Sequence, residues 1–305
     1  MINWNIVIAT LIISIPVLFV IVVFSDSIAW SWNAGRGGIA IAFTFVAAEV
    51  VGLKINISKK RLFTVFCMAI VVIAYITAVE FGLREFFIES AEQSDVQLVD
   101  SWIWMWDFII VAIFTTAGLW IYFGKRWIRI APAGPIFLAG TAIILSLDAF
   151  LPYDKLYVLQ YFVPFLVHTN VWLVTLFDLG TAVAKDNVMF LRGDHGSMAL
   201  QVFWPSAGVH SIIIFSLVIG AFMLKLNIPR NRKIIYFVLG IIGTIGVNVI
   251  RIFSLSWYAL KVTTDPVAWE EYHKIAGEIL FIPWLFAFIL VVILIESRRL
   301  KKSEK

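Results

Sequence analysis

A serine, an arginine and a histidine, far apart in the chain, supply the residue types that acyl transfer needs. Ser206 stands in Pro205-Ser206-Ala207-Gly208-Val209-His210-Ser211, at the head of a long apolar run. Arg251 closes the next apolar run, in Asn248-Val249-Ile250-Arg251-Ile252, and His273 opens the last, in His273-Lys274-Ile275-Ala276-Gly277. A hydroxyl attacks a carbonyl carbon when a neighbouring base takes its proton, and a histidine titrates in the range suited to that duty. A guanidinium can hold the oxygen that gains negative charge. The small residues Ala207 and Gly208 would let a peptide approach Ser206 closely.

Each residue also has an ordinary role. A serine at a helix start caps orphan N–H groups. An arginine at the end of an apolar run can snorkel to the interface, although Asn248, three residues earlier on the same helical face, could orient it. A histidine after Trp269-Glu270-Glu271-Tyr272 can simply be an exposed interfacial residue. His210 is a rival base, because it follows Ser206 by one helical turn. Side chains lean towards the helix N-terminus, so that geometry is a poor one for attack. His195, in Arg192-Gly193-Asp194-His195-Gly196, reads as a turn residue and His168 as a structural one. The four histidines form no H-E-x-x-H pattern, so neither a metal site nor a cofactor is expected. Glu49, Glu80, Asp107, Asp148 and Asp178 lie in or near apolar runs; they would line an ion path in a transporter or else pair with loop bases.

The elements that must position these groups are membrane helices. Of 305 residues 61% are hydrophobic and only 14% charged, with mean hydropathy +0.94. Soluble domains carry roughly 25% charged residues, which excludes a water-covered surface for this chain. The expectation is an all-α, polytopic integral membrane helix bundle forming a single transmembrane domain over residues 1–305. The net charge of +4 sits in short loops and the tail and does not point to nucleic acid. Cys67, the only cysteine, lies within an apolar run and permits no internal disulfide. The stretch from Ile6 to Phe24 lacks the basic start of a signal peptide and reads as the first membrane helix.

A span needs about 20 apolar residues. Candidates are 6–24, 37–53, 62–83, 102–123, 134–151, 158–183, 207–226, 233–255 and 276–295, giving eight or nine spanning helices. Trp30, Trp32, Trp102, Trp104, Trp127, Trp204, Trp257 and Trp269 mark their ends as interfacial anchors. Basic clusters at 54–61, 125–129, 225–233 and 298–305 assign cytoplasmic ends, and the acidic loop from Glu85 to Asp100 an outer one. Working back from a cytoplasmic C-terminus, His273, Arg251 and Ser206 all fall on the extracytoplasmic face. The same alternation fails between residues 130 and 184, so a segment there must be re-entrant, interfacial or broken. Pro132, Pro135, Pro152 and Pro164 make that feasible.

At these residues the chain resembles the exosortase/archaeosortase family of polytopic membrane transpeptidases. That family carries Cys-Ser/Thr-Gly-Ile/Val-x-Ser at the outer start of one helix, Asn-x-x-Arg at the outer end of the next, and a His at the start of the last. Ser206-Ala207-Gly208-Val209-His210-Ser211 is similar to the first element, Asn248-Val249-Ile250-Arg251 to the second, and His273 with Gly277 to the third. The likeness covers about residues 160–295. It implies a peptidase or transpeptidase in the cell membrane that cleaves C-terminal sorting tails of secreted surface proteins through an acyl-enzyme. The acyl group would pass to a lipid, an amine or water. Ser206 would be the nucleophile, His273 the base, and Arg251 the oxyanion or substrate holder, with Asn248, Gly208 and His210 in support. Serine replaces the family's cysteine, as in the thaumarchaeal archaeosortases that the chain resembles. An engineered cysteine-to-serine change and a homologue that binds tails without cutting are the other readings of that serine. The change in Ala207, where the family has Ser or Thr, favours the natural serine branch. A small-solute transporter is the competing class.

Overall fold

The structure, a computed structural model, describes residues 3–29, 35–96, 98–150, 160–204 and 206–303. Trp30, Trp32, Pro152, Pro205 and Lys305 lie outside the described residues. Of the described residues 78% are helical. Every apolar run expected to span is built around a helix, because in lipid a backbone must satisfy its own hydrogen bonds. These contacts divide the chain into two compact units, Met1–Pro152 with Gly220–Asn227, and Tyr153–Ile219 with Ile228–Lys305.

The first unit holds α1 (Trp4–Val23), α2 (Gly37–Val50), α3 (Lys59–Ala78), α4 (Arg84–Gln93), α5 (Val99–Phe123), the single turn α6 (Trp127–Ile130) and α7 (Ala133–Phe150). Side-chain oxygens start two of them: Asn3 accepts from the Asn5 N–H at 3.2 Å, and Ser58 from the Arg61 N–H at 3.5 Å. A π-turn over Val79–Leu83 joins α3 to α4 with non-helical backbone at Phe81 and Gly82. The acidic stretch expected as a loop from Glu85 is therefore helical as far as Gln93. Its first turn carries Glu85, which suits the positive end of a helix dipole.

The second unit holds α8 (Val163–Leu176), three strands, most of α9 (Val209–Lys225), α10 (Arg230–Lys261) and α11 (Pro266–Ser303). The strands β1 (Thr181–Lys185), β2 (Val188–Gly193) and β3 (Gly196–Gln201) form an antiparallel meander in the order β1-β2-β3. Turns at Asp186-Asn187 and Asp194-His195 join them, with Val188 opposite Gln201 and Gly193 opposite Gly196. This sheet departs from a purely helical reading. The run expected to span from 158 to 183 is a helix of 14 residues, about 21 Å long at 1.5 Å per residue, and then turns into β1. That is short of the roughly 30 Å hydrocarbon core, so the segment is broken as the failed alternation requires.

Among the described residues six helices are long and apolar enough to cross a membrane, as in a multi-pass membrane protein; Gly37–Val50, Val163–Leu176 and Val209–Lys225 are shorter apolar helices. Large apolar side chains such as Val22, Val71, Ile113 and Ile279 remain exposed on these helices, as a lipid-facing surface demands. Cys67 is exposed on α3.

One core explains how the second unit fixes the turn around Ser206. The inward faces of β2 and β3 bury Met189, Leu191 and Leu200, and Val202 follows them. They pack with Val163, Leu166, Val167 and Val174 of α8, Ile252, Ala259 and Leu260 of α10, and Trp204, Ala207 and Val209. Trp204 is fully buried, and its backbone N–H donates to the Gln160 side chain at 3.0 Å. Trp204 and Ala207, close to Ser206 in the chain, are thus held by sheet and helix together.

Candidate functional site

α9 begins at Val209, and Ser206 lies in the turn before it. Its hydroxyl makes no hydrogen bond among the described residues. A capping serine would instead accept from a helix N–H, so the ordinary role foreseen for Ser206 has no geometric basis here. The turn is held by backbone bonds from Ala207 N–H to Phe203 O at 2.8 Å and from Val209 N–H to Trp204 O at 3.4 Å. Ser206 itself is half-buried.

Gly208 ends the turn with φ +85°, a left-handed conformation that a side chain disfavours. Space makes the same demand: a Cβ there would lie 2.0 Å from both Cγ and Nδ2 of Asn248. Asn248, buried on α10, donates from Nδ2 to the Gly208 carbonyl at 3.3 Å. Its amide therefore steadies the turn that bears Ser206.

Arg251 lies one turn further along α10. Its Nη2 approaches His273 Nε2 at 3.0 Å, a side-chain bridge from α10 to α11. The guanidinium packs over Gly277, where an added Cβ would sit 3.2 Å from Cζ. His273 and Gly277 are one helical turn apart on α11, so a histidine and a flat floor for the guanidinium occur on one face. Arg251 Nε is buried with no partner among the described residues. A snorkelling arginine would extend its head into water; this one turns inward.

His273 is half-buried, with its ring stacked on Trp269 at 5.1 Å and 16° and its Nδ1 3.5 Å from Glu270 Oε2. It is not the freely exposed interfacial residue that the sequence alone also allowed. His210 is buried and meets the edge of Trp204 at 4.7 Å, with the rings 83° apart. The Arg251 charge reaches it as well. The structure thus joins Gly208 to Asn248 and Arg251 to His273, and ties His210 to Trp204.

The other histidines have structural roles. The His195 ring nitrogen Nε2 donates to the Lys261 carbonyl at 3.1 Å, Asp194 N–H donates to Leu260 O at 3.2 Å, and Lys261 Nζ reaches Asp194 Oδ2 at 2.8 Å. The tip of the β2–β3 hairpin thereby satisfies the orphan carbonyls that end α10. The Lys261 ammonium holds the Asp194 carboxyl below the usual carboxylate range. His168 Nδ1 bonds to Pro164 O at 2.8 Å within α8.

A second polar cluster, in the first unit, centres on Arg36, which the sequence reading overlooked. Arg36 is wholly buried at the start of α2. It pairs with Glu80, donates from Nε to Asp107 Oδ2 at 2.6 Å and from Nη1 to Ser27 Oγ at 3.1 Å, and lies over the Trp104 ring. Tyr75 donates to Asp107 Oδ1 at 3.0 Å. Glu49 pairs with Lys225 at 3.1 Å and accepts from the Ala133 N–H at the start of α7. Three of the acids that an ion path would use are therefore joined to bases. A single arginine before Gly37-Gly38 was the one available hint.

Among the described residues no group of three or more histidine, cysteine or acidic side chains could hold a metal ion. No family model, curated protein or solved structure matches the chain.

Proposed function

We propose that the protein is a membrane-embedded peptidase or transpeptidase of the exosortase/archaeosortase type, acting on C-terminal sorting tails of secreted proteins with Ser206 as nucleophile. The observation that carries this reading is the contact of Arg251 with His273, on the helix whose Asn248 holds the Ser206 turn. A structural arginine usually pairs with a carboxylate, as Arg36 does with Asp107, whereas here a guanidinium N–H faces an imidazole nitrogen. That arrangement suits a site where one group handles a proton and the other a developing anion.

Ser206 Oγ attacks the peptide carbonyl carbon while its proton passes to His273 Nε2. The carbonyl oxygen becomes the oxyanion, and Arg251 balances its charge. In the resting arrangement Arg251 occupies the Nε2 lone pair. Its transfer to the oxyanion frees that nitrogen at the moment it is needed. Collapse of the tetrahedral adduct breaks the C–N bond, and the departing tail amine takes the proton from His273. The acyl group stays on Ser206 as an ester. A lipid, amine or water then attacks, His273 removes its proton, and Ser206 is regenerated. Transfer to a lipid or amine is transpeptidation; transfer to water is proteolysis.

The basic clusters and the resemblance support a cytoplasmic C-terminus, an extracytoplasmic site and residence in the cell membrane. The test is cleavage in proteoliposomes of a secreted protein ending in a short motif, an apolar helix and a basic end. Ser206→Ala should abolish cleavage with the protein still folded. Unchanged processing by that variant removes Ser206 from the chemistry.

A further inference from the structure

We propose that Glu270 is a positioning residue for the His273 base, fixing its proton on Nδ1 and its lone pair on Nε2. The inference rests on the catalytic reading for its importance to turnover, but its geometry stands separately. A guanidinium has donors only, so the nitrogen facing Arg251 Nη2 at 3.0 Å must accept. Nε2 is therefore unprotonated, and the proton of the neutral ring is on Nδ1. That nitrogen faces Glu270 Oε2 at 3.5 Å, from one turn earlier on the same helix. At that distance the pair makes a charge contact rather than a hydrogen bond, and resting catalytic contacts often tighten only when substrate binds.

The ring plane is set independently. Trp269 stacks on the imidazole. Its own Nε1–H donates to Leu255 O at 3.3 Å, which fastens the indole to α10. With the plane set by Trp269 and Nδ1 facing Glu270, the Nε2 lone pair faces Arg251 and is the one that receives an incoming hydroxyl proton. When His273 becomes cationic during attack, the carboxylate of Glu270 faces the new charge. A carboxylate behind the base in this way holds the productive tautomer and stabilises the imidazolium. Ser206, His273 and Glu270 would then act in series, with Arg251 on the oxyanion.

The experiment combines cleavage kinetics with nitrogen-15 NMR of the labelled His273 ring in detergent. Glu270→Ala should lower kcat by roughly tenfold to a hundredfold with KM little changed. Glu270→Gln keeps an oxygen that accepts from Nδ1–H and should recover most of the loss. In an Arg251→Ala background, where the guanidinium no longer imposes the tautomer, the Nδ1–H form should still dominate, and it should give way to a mixture when Glu270→Ala is added. An unchanged tautomer on adding Glu270→Ala in that background overturns the proposal, whatever the kinetics. A tautomer that follows Glu270 in a protein that cleaves no tail upholds the positioning and refutes the peptidase reading instead.

Discussion

Ser206, Gly208 and Asn248 show how little chemistry a single residue type conveys and how much its neighbours add. The serine hydroxyl makes no hydrogen bond among the described residues, in a turn that ends in a left-handed Gly208 before the helix begins at Val209. Gly208→Ala forces a side chain into an unfavourable φ at a cost of about 1–3 kcal/mol. It also drives a Cβ into the Asn248 amide. The expected outcome is a lower thermal midpoint in detergent and at least a tenfold loss of cleavage. Adding Asn248→Gly should restore part of the stability, since it removes the clash and leaves only the backbone strain. Equal stability of native protein and Gly208→Ala would show that the turn is not held as described. This glycine was legible in the sequence only as a small residue near the serine. Its φ and its contact with Asn248, 40 residues away, belong to the folded chain.

At the scale of elements, the helices were far more legible than the sheet. A membrane helix announces itself by length and apolarity, since every residue of a lipid-embedded run must avoid charge. Nine such runs each contain a helix, although α2, α8 and α9 are too short for the six long helices to be counted as nine spans. Thr181–Gln201 gave no comparable signal. β1 alternates between half-buried and exposed positions, β2 and β3 bury only Met189, Leu191 and Leu200, and the first residues extend an apolar run, so they read as the end of a span. The Asp186-Asn187 turn was the missed clue; Asp194-His195 was read as a turn, but without the strands that it joins. The docking of this hairpin on α10 has a pH signature. Asp194 has a depressed folded pKa, so the Lys261 contact contributes its full stabilisation above the ordinary carboxylate value. That contribution is lost as pH falls through the depressed folded value. Hydrogen exchange at the Asp194 amide, corrected for intrinsic rate, should stay slow from neutral to mildly acidic pH and quicken only in stronger acid. Loss of protection near neutral pH would contradict the ion pair.

On the scale of the whole molecule, the polar groups sort into two kinds. In the first unit Arg36 closes on Glu80 and Asp107, which lie 44 and 71 residues away along the chain. Breaking such a buried set exposes an uncompensated charge, which is why it is kept paired. It was illegible because no local pattern links residues so distant. In the second unit Arg251 faces His273 through Nη2, and its buried Nε has no partner among the described residues. The proposed function gives that guanidinium an anionic oxygen to hold. The most direct test needs no knowledge of the tail. A fluorophosphonate reacts with an activated serine by forming an O–P bond and expelling fluoride. Mass spectrometry of the treated, membrane-reconstituted protein should find the adduct on Ser206, and His273→Ala and Arg251→Ala should suppress it. An unmodified Ser206, or one labelled equally without His273, would contradict the account.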